Sequence, residues 1–435
     1  MTPGARISAA IEVLDDVNAR KRPAADALKD WGLSHRFAGS KDRAAIASLV
    51  FDAERNRASA AFLMGSETPR AVVLGSLARA RGMDADALMS LCSGEAHAPP
   101  PLDERETNCL AKGDLNGAPS FVAGDFPQWL EPSLTAVFGE NTIAEMSALA
   151  TRAPVDLRVN TLKAGRDKVL TGLAHLHATP TLLSPLGLRI PLMPDGRGPS
   201  LSAEPAYVKG LVEIQDEGSQ LAALLALAKP GEQVLDLCAG AGGKTLALAA
   251  AMQNKGQIHA ADRDGSRLMR SMARLERAGV RNVQLHAPRG SHDVLASLEG
   301  RCDLVFVDAP CTGTGTWRRN PDAKWRMRPG ALAIRIAEQV EALEEAVRFA
   351  KPHGRILYVT CSILREENED RIAAFLREHP DFQCLSAQEL ASTAHLPELA
   401  RFASRLGLGL RLTPLTSGTD GFFVAMLMRG AHAAQ

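Results

Sequence analysis

The stretch VLDLCAGAGGKT, residues 234–245, decides the fold of this 435-residue chain. It opens as an apolar β run and closes as the start of a helix, KTLALAAAMQ (244–253), with Gly240, Gly242 and Gly243 at the join. Glycine at such a join lets the backbone approach a ligand closely, and in a doubly wound sheet the ligand crevice lies at the carboxyl ends of the strands. The loop is neither the G-x-G-x-x-G of dinucleotide sites nor a P-loop, so the expected ligand is nucleoside-like. The next strand, QIHAAD, ends at Asp262, which either accepts hydrogen bonds from the two hydroxyls of a ribose or is a surface acid.

Apolar strands and amphipathic helices alternate downstream: SRLMRSMARLERAG (266–279), NVQLH (282–286), DLVFVD (303–308), ALAIRIAEQVEALEEAVRFA (331–350) and RILYVT (355–360). This alternation predicts a parallel sheet covered by helices on both faces. GFFVAMLM (421–428) is a further strand with no helix after it. Upstream, residues 1–100 carry helical spacing, as in AAIASLVFDAERNRASAAFLM (44–64), and no strand signal. A Pro-rich polar passage makes 101–123 a linker, and short alternating segments such as VDLRVNTLK (155–163) predict a small α/β domain over 124–215, ahead of the nucleoside-binding domain at 216–430.

Apolar residues make up 46% of the chain and charged residues 23%, which fits a soluble globular protein. No apolar run reaches membrane-span length and the N-terminus lacks a signal-peptide core, so a cytoplasmic location without membrane attachment is expected. Seven cysteines with no C-x-x-C pair argue against a disulfide framework and against a zinc ribbon, and no metal is expected. With a formal net charge of zero, any nucleic-acid contact must be made by a local basic patch.

Two cysteines follow strands on the ligand-facing edge: Cys311 in DLVFVDAPCTGTG (303–315) and Cys361 in RILYVTCSILREENED (355–370). A thiol there needs only a modest fall in pKa to become a nucleophile. Cys92, Cys109, Cys302 and Cys384 read as small buried hydrophobes, and Cys238 packs or lends backbone to the ligand site.

DLCAGAGGKT, DAPCTGTGTWRRNPDAKW and TCSILREENE, in this order and at these spacings, resemble the RsmB/Nop2/Sun-type RNA cytosine-5 methyltransferases over roughly residues 125 to 430. The N-terminal segment GSKDRAAIASLVFDAERNRA (39–58) looks like the NusB-type RNA-binding domain fused to bacterial members that modify small-subunit ribosomal RNA. The resemblance implies a Rossmann-like class I fold with a mostly parallel seven-stranded sheet and an antiparallel C-terminal strand. It also implies a small RRM-like domain before that sheet, S-adenosyl-L-methionine as cofactor and 16S ribosomal RNA as substrate. By the same resemblance Cys361 is the nucleophile, Cys311 the residue that releases product, Asp308 the partner of the cytosine N3/N4 edge, and Lys244 a neighbour of the reacting centre. Cys238, Ala239, Gly240, Ala241, Gly242, Gly243, Lys244, Asp262 and Asp308 are the implied cofactor-binding residues. One departure stands out: where the family commonly carries an acid near the adenine, this chain has Pro288, leaving backbone groups or Asp293 for that task.

TWRRNPDAKWRMR (316–328) interleaves aromatics with cations. It is either an RNA-binding segment, in which Trp317, Arg318, Arg319, Lys324, Trp325 and Arg326 stack on bases and meet phosphates, or an Arg-rich turn whose tryptophans pack in a core. Its place just after Cys311 favours RNA. A monomer is expected. A transfer-RNA methyltransferase and a non-catalytic assembly factor that keeps the fold are the alternative functions.

Overall fold

A computed structural model describes residues 1–193, 198–290 and 292–430. The chain forms two compact units, one made of Met1–Arg152 with Trp317–Arg328, the other of Ala153–Thr316 with the chain from Pro329 onward. No helix among the described residues is long and apolar enough to cross a membrane.

The first unit is helical. Its principal helices span Pro3–Arg20, Ala24–Ser34, Ser40–Arg55, Arg57–Met64, Pro69–Arg81 and Glu104–Lys112. Thr2 and Thr68 each cap a helix whose first residue is proline, a pairing that leaves no donor wasted at the start. Ile7, Leu14, Ile46, Val50, Leu74 and Leu88 fill the core between these helices. The segment 101–123, expected as a linker, holds the helix Glu104–Lys112 behind a capping box of Asp103 and Glu106. Helices continue through Thr142–Leu149, so the strands expected from residue 124 begin only at Val155.

Trp317–Arg328 is the surprise of this unit. Trp317, Arg318 and Lys324 are buried. The Lys324 ammonium donates to the carbonyls of Arg55 and Asp125 at 2.7 and 2.6 Å, and the Trp325 indole N–H donates to the Glu54 carbonyl at 2.7 Å. Burial pushes Lys324 down to about 8, the nearby Asp125 and Glu54 carboxylates opposing it only in part. A buried ammonium already bonded to two carbonyls has no reach toward a phosphate. The RNA-facing role expected for Trp317, Arg318 and Lys324 is therefore corrected: they are internal parts of the helical unit. Arg319 and Arg326 are exposed, the latter paired with Asp322 at 3.0 Å.

The second unit holds two sheets. The smaller comprises β1 (Val155–Val159), β2 (Thr179–Pro180), β3 (Gly187–Ile190) and β4 (Val212–Ile214) in the order β2-β3-β1-β4, antiparallel throughout, with the helix Arg166–Gly172 packed on it. This is a ferredoxin-like arrangement. The larger contains β5 (Gln233–Asp236), β6 (Gln257–Ala261), β7 (Val283–His286), β8 (Cys302–Asp308), β9 (Ala350–Thr360), β10 (Phe382–Cys384), β11 (Leu410–Leu412) and β12 (Phe422–Arg429). Its order is β10-β12-β9-β8-β5-β6-β7, with β11 pairing β12.

Strands β5 to β9 run parallel, and β10, β11 and β12 are joined to the sheet by antiparallel pairs. The sheet is Rossmann-like, with eight strands where seven were expected. The additional one is the short hairpin partner β11, whose three residues give no periodic signal. Central strands are apolar on both faces because helices cover both: Leu304 to Val307 and Ile356 to Val359 are fully buried. The chain leaves β5 to build β6 and β7 on one side, then returns to place β8 on the other. The carboxyl ends of β5 and β8 thus flank the topological switch point, where a doubly wound sheet opens its crevice.

Candidate functional site

Gly240 and Gly242, just past β5, have φ of +55° and +78°, the left-handed region that side chains avoid. A Cβ on Gly242 would lie 2.7 Å from the Ser271 Cβ, so glycine is required there for space as well as conformation. The turn is pinned from outside: Ala239 N–H donates to the Ala261 carbonyl at 2.9 Å, the Ala241 carbonyl accepts from Arg274 at 2.6 Å, and the Gly243 carbonyl accepts from Arg158 at 3.0 Å. Asp262, just past β6, accepts the Gly240 N–H at 2.7 Å on one oxygen and the Asp264 N–H at 2.8 Å on the other. Beneath the loop, fully buried Asp236 accepts the Thr245 hydroxyl at 2.6 Å.

Parallel pairing of β8 with β9 matches Asp308 to Val359, so the loops that follow both strands open on the same edge. There the two thiols meet, Cys311 Sγ lying 3.4 Å from Cys361 Sγ. The Lys244 ammonium, from the helix that follows the glycine loop, bonds Asp308 at 2.6 Å and lies 5.4 Å from the centre of the Phe422 ring. Burial opposes the charge on Lys244, but Asp308, Cys361 and Asp236 together hold its pKa above the ordinary value, so it stays an ammonium. Cys311 is pushed well above the ordinary thiol range by its hydrogen bond to Cys361, then by burial and by the fields of Cys361 and Glu367. Cys238 is pushed up by burial and by Asp236, Asp308 and Asp262, which suits a protonated wall residue rather than a nucleophile.

Both thiols and Asp308 open on a cleft of about 560 Å³, within the size range of ligand sites, lined by Cys238, Asp262, Pro288, Asp308, Cys311 and Cys361 among others. Asp293 also lines it, but its carboxylate is committed to the Leu295 N–H and to Arg348. His286, Arg289 and His292 line it as well.

The sequence reading missed what stands behind the thiols. Glu367, fully buried, accepts hydrogen bonds from the Thr312 N–H (2.8 Å) and hydroxyl, the Gln339 amide (3.0 Å) and the Ser362 hydroxyl. Gln339 also donates to the Pro310 carbonyl at 2.9 Å. Thr360 and Ser362 are tied to Asn368, and Arg411 pairs with Glu369 at 2.6 Å in the interior. Acids in a row ordinarily read as a solvated turn, and only partners far along the chain show otherwise.

Ribosomal RNA small subunit methyltransferase B of Xanthomonas campestris is 34% identical over 331 residues, covering 74% of this chain and 71% of that protein. The chain belongs to this family. The model of 16S rRNA methyltransferase RsmB/F matches residues 222–428, and that of the RsmF/B-like ferredoxin-like domain matches 126–192. Ribosomal RNA small subunit methyltransferase B of Sodalis glossinidius is 36% identical over 312 residues, 71% of this chain and 66% of that protein. The crystal structure of PH0851 covers 98% of this chain and 99% of its own, at 26% identity and a TM-score of 0.72. A methyltransferase homolog protein from Pyrococcus horikoshii covers 71% of this chain and 97% of its own, at 26% identity and a TM-score of 0.58. As an RsmB/F-family methyltransferase the chain has the class I fold, and its glycine loop, Asp308, both thiols and Glu367 lie within the stretch matched by the family model.

Proposed function

We propose that this RsmB/F-family protein transfers a methyl group from S-adenosyl-L-methionine to C5 of a cytosine in 16S ribosomal RNA, through a covalent bond between Cys361 and C6. The observation that carries this reading is the thiol pair: two cysteines 3.4 Å apart, beside a Lys244–Asp308 ion pair, on the wall of a nucleoside-sized cleft.

The residues present suit the cofactor. The glycine turn suits a tightly packed cleft edge, since a Cβ on Gly240 would come within 2.9 Å of the guanidinium of Arg267, a cleft-lining residue. Each Asp262 oxygen accepts one backbone N–H and keeps a lone-pair direction for a ribose hydroxyl. Bound there, S-adenosylmethionine supplies an electrophilic methyl group. Cys238, Ala239, Ala241 and Lys244 complete the cofactor cradle, and Pro288 offers the adenine an apolar wall in place of an acid.

C5 of cytosine is a poor carbon nucleophile, so the chain must first load electron density onto it. The Cys361 thiolate adds to C6, and the displaced C5=C6 electron pair loads C5, while the Asp308 carboxylate accepts a hydrogen bond from the N4 amino group on the N3/N4 edge and holds the base in place. Lys244 anchors the Asp308 carboxylate in that position. Once Cys361 has spent its charge on the S–C6 bond, the hydrogen bond and field of Cys361 no longer hold the proton on Cys311; only burial and Glu367 still oppose its loss, and Cys311 releases that proton to water. As a thiolate it takes the C5 proton after methylation; the C5–H electron pair forms the C5=C6 double bond, and the Cys361 thiolate leaves. The base must be extruded from its stack to reach a thiol at this depth. Within the segment 316–328, RNA contact falls to exposed Arg319 and Arg326 rather than to its buried members, with Trp325 half-buried between them.

The test is incubation of Cys311→Ala with S-adenosylmethionine and 16S ribosomal RNA, followed by a denaturing gel. A protein–RNA adduct that accumulates, and vanishes in the Cys311→Ala/Cys361→Ala double variant, is the expected result. No adduct from Cys311→Ala while wild type methylates the same RNA overturns the assigned roles.

A further inference from the structure

Two thiols of identical chemistry sit side by side, yet the proposed reaction needs them to behave differently, and something must tell them apart. We infer that Glu367 is the positioning residue that does so, clamping the two cysteine loops in register and placing its negative charge on the Cys311 side of the pair. The inference rests on the reading of Cys361 as nucleophile and Cys311 as release residue.

The geometry is specific. Glu367 bonds Thr312 and Ser362, the residues that directly follow Cys311 and Cys361. Its third partner, Gln339 on the helix Pro329–Phe349, also bonds the Pro310 carbonyl just before Cys311, so one carboxylate and one amide bracket the Cys311 loop from both ends. Further ties close the frame: Gly315 N–H donates to the Cys361 carbonyl at 2.9 Å, and the Thr314 and Ser362 hydroxyls lie 3.0 Å apart. Glu367 forms no ion pair among the described residues; all four of its bonds come from neutral donors. No paired cation offsets this carboxylate in the low-dielectric interior.

The charged and titratable groups around the pair divide by side. Lys244, held by Asp308, interacts with Cys361, while Glu367, two of whose four bonds go to Thr312, interacts with Cys311, and Cys311 in turn adds to the burial that raises the Tyr358 hydroxyl. Tyr358 itself donates to the Glu367 carbonyl at 2.6 Å, which fixes the backbone from which the carboxylate projects. An anion on the Cys311 side of the pair favours the proton on Cys311.

The test uses the full-length protein carrying Glu367→Gln, which keeps the size of the side chain and removes its charge. Each cysteine is alkylated with iodoacetamide at neutral pH and the modified peptides are counted by mass spectrometry, a readout that needs neither RNA nor cofactor. The expected result is that wild type labels mainly at Cys361, and that Glu367→Gln shifts the Cys311-to-Cys361 labelling ratio toward Cys311 by about tenfold, the effect of one pKa unit. Turnover of 16S ribosomal RNA falls about tenfold or more in kcat with KM little changed, because misaligned reacting groups cost rate rather than binding. A labelling ratio that stays at the wild-type value in a folded variant overturns the inference, as does a lower melting temperature as the sole change. Where Glu367→Gln does not fold, Thr312→Val removes one arm of the clamp and must shift the ratio in the same direction; no shift there also overturns it. Absent adduct formation by Cys311→Ala with an intact labelling shift would instead locate the failure in the proposed reaction.

Discussion

Replacing Asp236 by asparagine should remove part of the pH dependence of stability of the second unit. Asp236 ends β5 beneath the glycine loop, fully buried, with one oxygen on the Thr245 hydroxyl and the other without a hydrogen-bond partner in the protein. Burial raises its pKa from 3.8 to about 7, the Thr245 bond opposing the shift and Asp308 adding to it. The folded state therefore binds a proton that the unfolded state has lost, across the window from 3.8 to about 7. Stability from this group is fully present below pH 3.8 and is lost as pH rises through about 7. A gap of about three pH units, at about 1.4 kcal/mol per unit, is worth roughly 4 kcal/mol. Asparagine carries no charge at any of these pH values, so its stability relative to wild type should climb by roughly that amount between about pH 4 and pH 8.

Urea melts of both proteins across that range, subtracted at each pH, cancel the titrating groups that are not coupled to Asp236. The chain supplies its own control: Tyr207 and Tyr358, its two tyrosines, lie in the second unit, while Trp31, Trp129, Trp317 and Trp325, its four tryptophans, lie in the first. The pH-dependent difference should appear in tyrosine absorbance and leave tryptophan fluorescence unmoved. A stability difference that is flat with pH to within about 0.5 kcal/mol would show that Asp236 keeps the same protonation in both states, and the reasoning would fail.

Two further substitutions probe the site. Lys244→Met removes the cation beside Asp308 and Cys361 and should slow methyl transfer about a hundredfold or more while the tyrosine-detected melt is retained; a rate near wild type would make Lys244 a packing residue. Gly242→Ala forces a side chain into φ of +78° and against Ser271, and should destabilise the second unit by about 2 kcal/mol or more and weaken S-adenosylmethionine binding measured by calorimetry.

What was legible in the sequence was whatever local chemistry decides. The glycine loop requires its residues for backbone reasons that hold in any context, and the apolar runs of β8 and β9 are continuous because helices cover both faces of the sheet. The thiols were findable because strand ends on one edge of a parallel sheet converge without any knowledge of packing. The region from Gly124 to Leu149 misled because Pro127, Pro132 and Gly139 cut it into short helical pieces that resemble turns between strands.

Burial of charge was the part that sequence could not reveal. Lys324 and Glu367 both sit in runs that read as solvated, and each is buried because its partners come from elsewhere: Arg55 and Asp125 for the lysine, Thr312 and Gln339 for the glutamate. A buried charge is tolerated only when nonlocal donors or acceptors satisfy it, so its cost and its use are both properties of the tertiary structure. At Lys324 those partners are carbonyls of the helical unit, and the charge serves as a rivet. At Glu367 they are the residues that adjoin two reactive thiols, and there the same device places a fixed negative charge where one of two sulfurs must keep its proton.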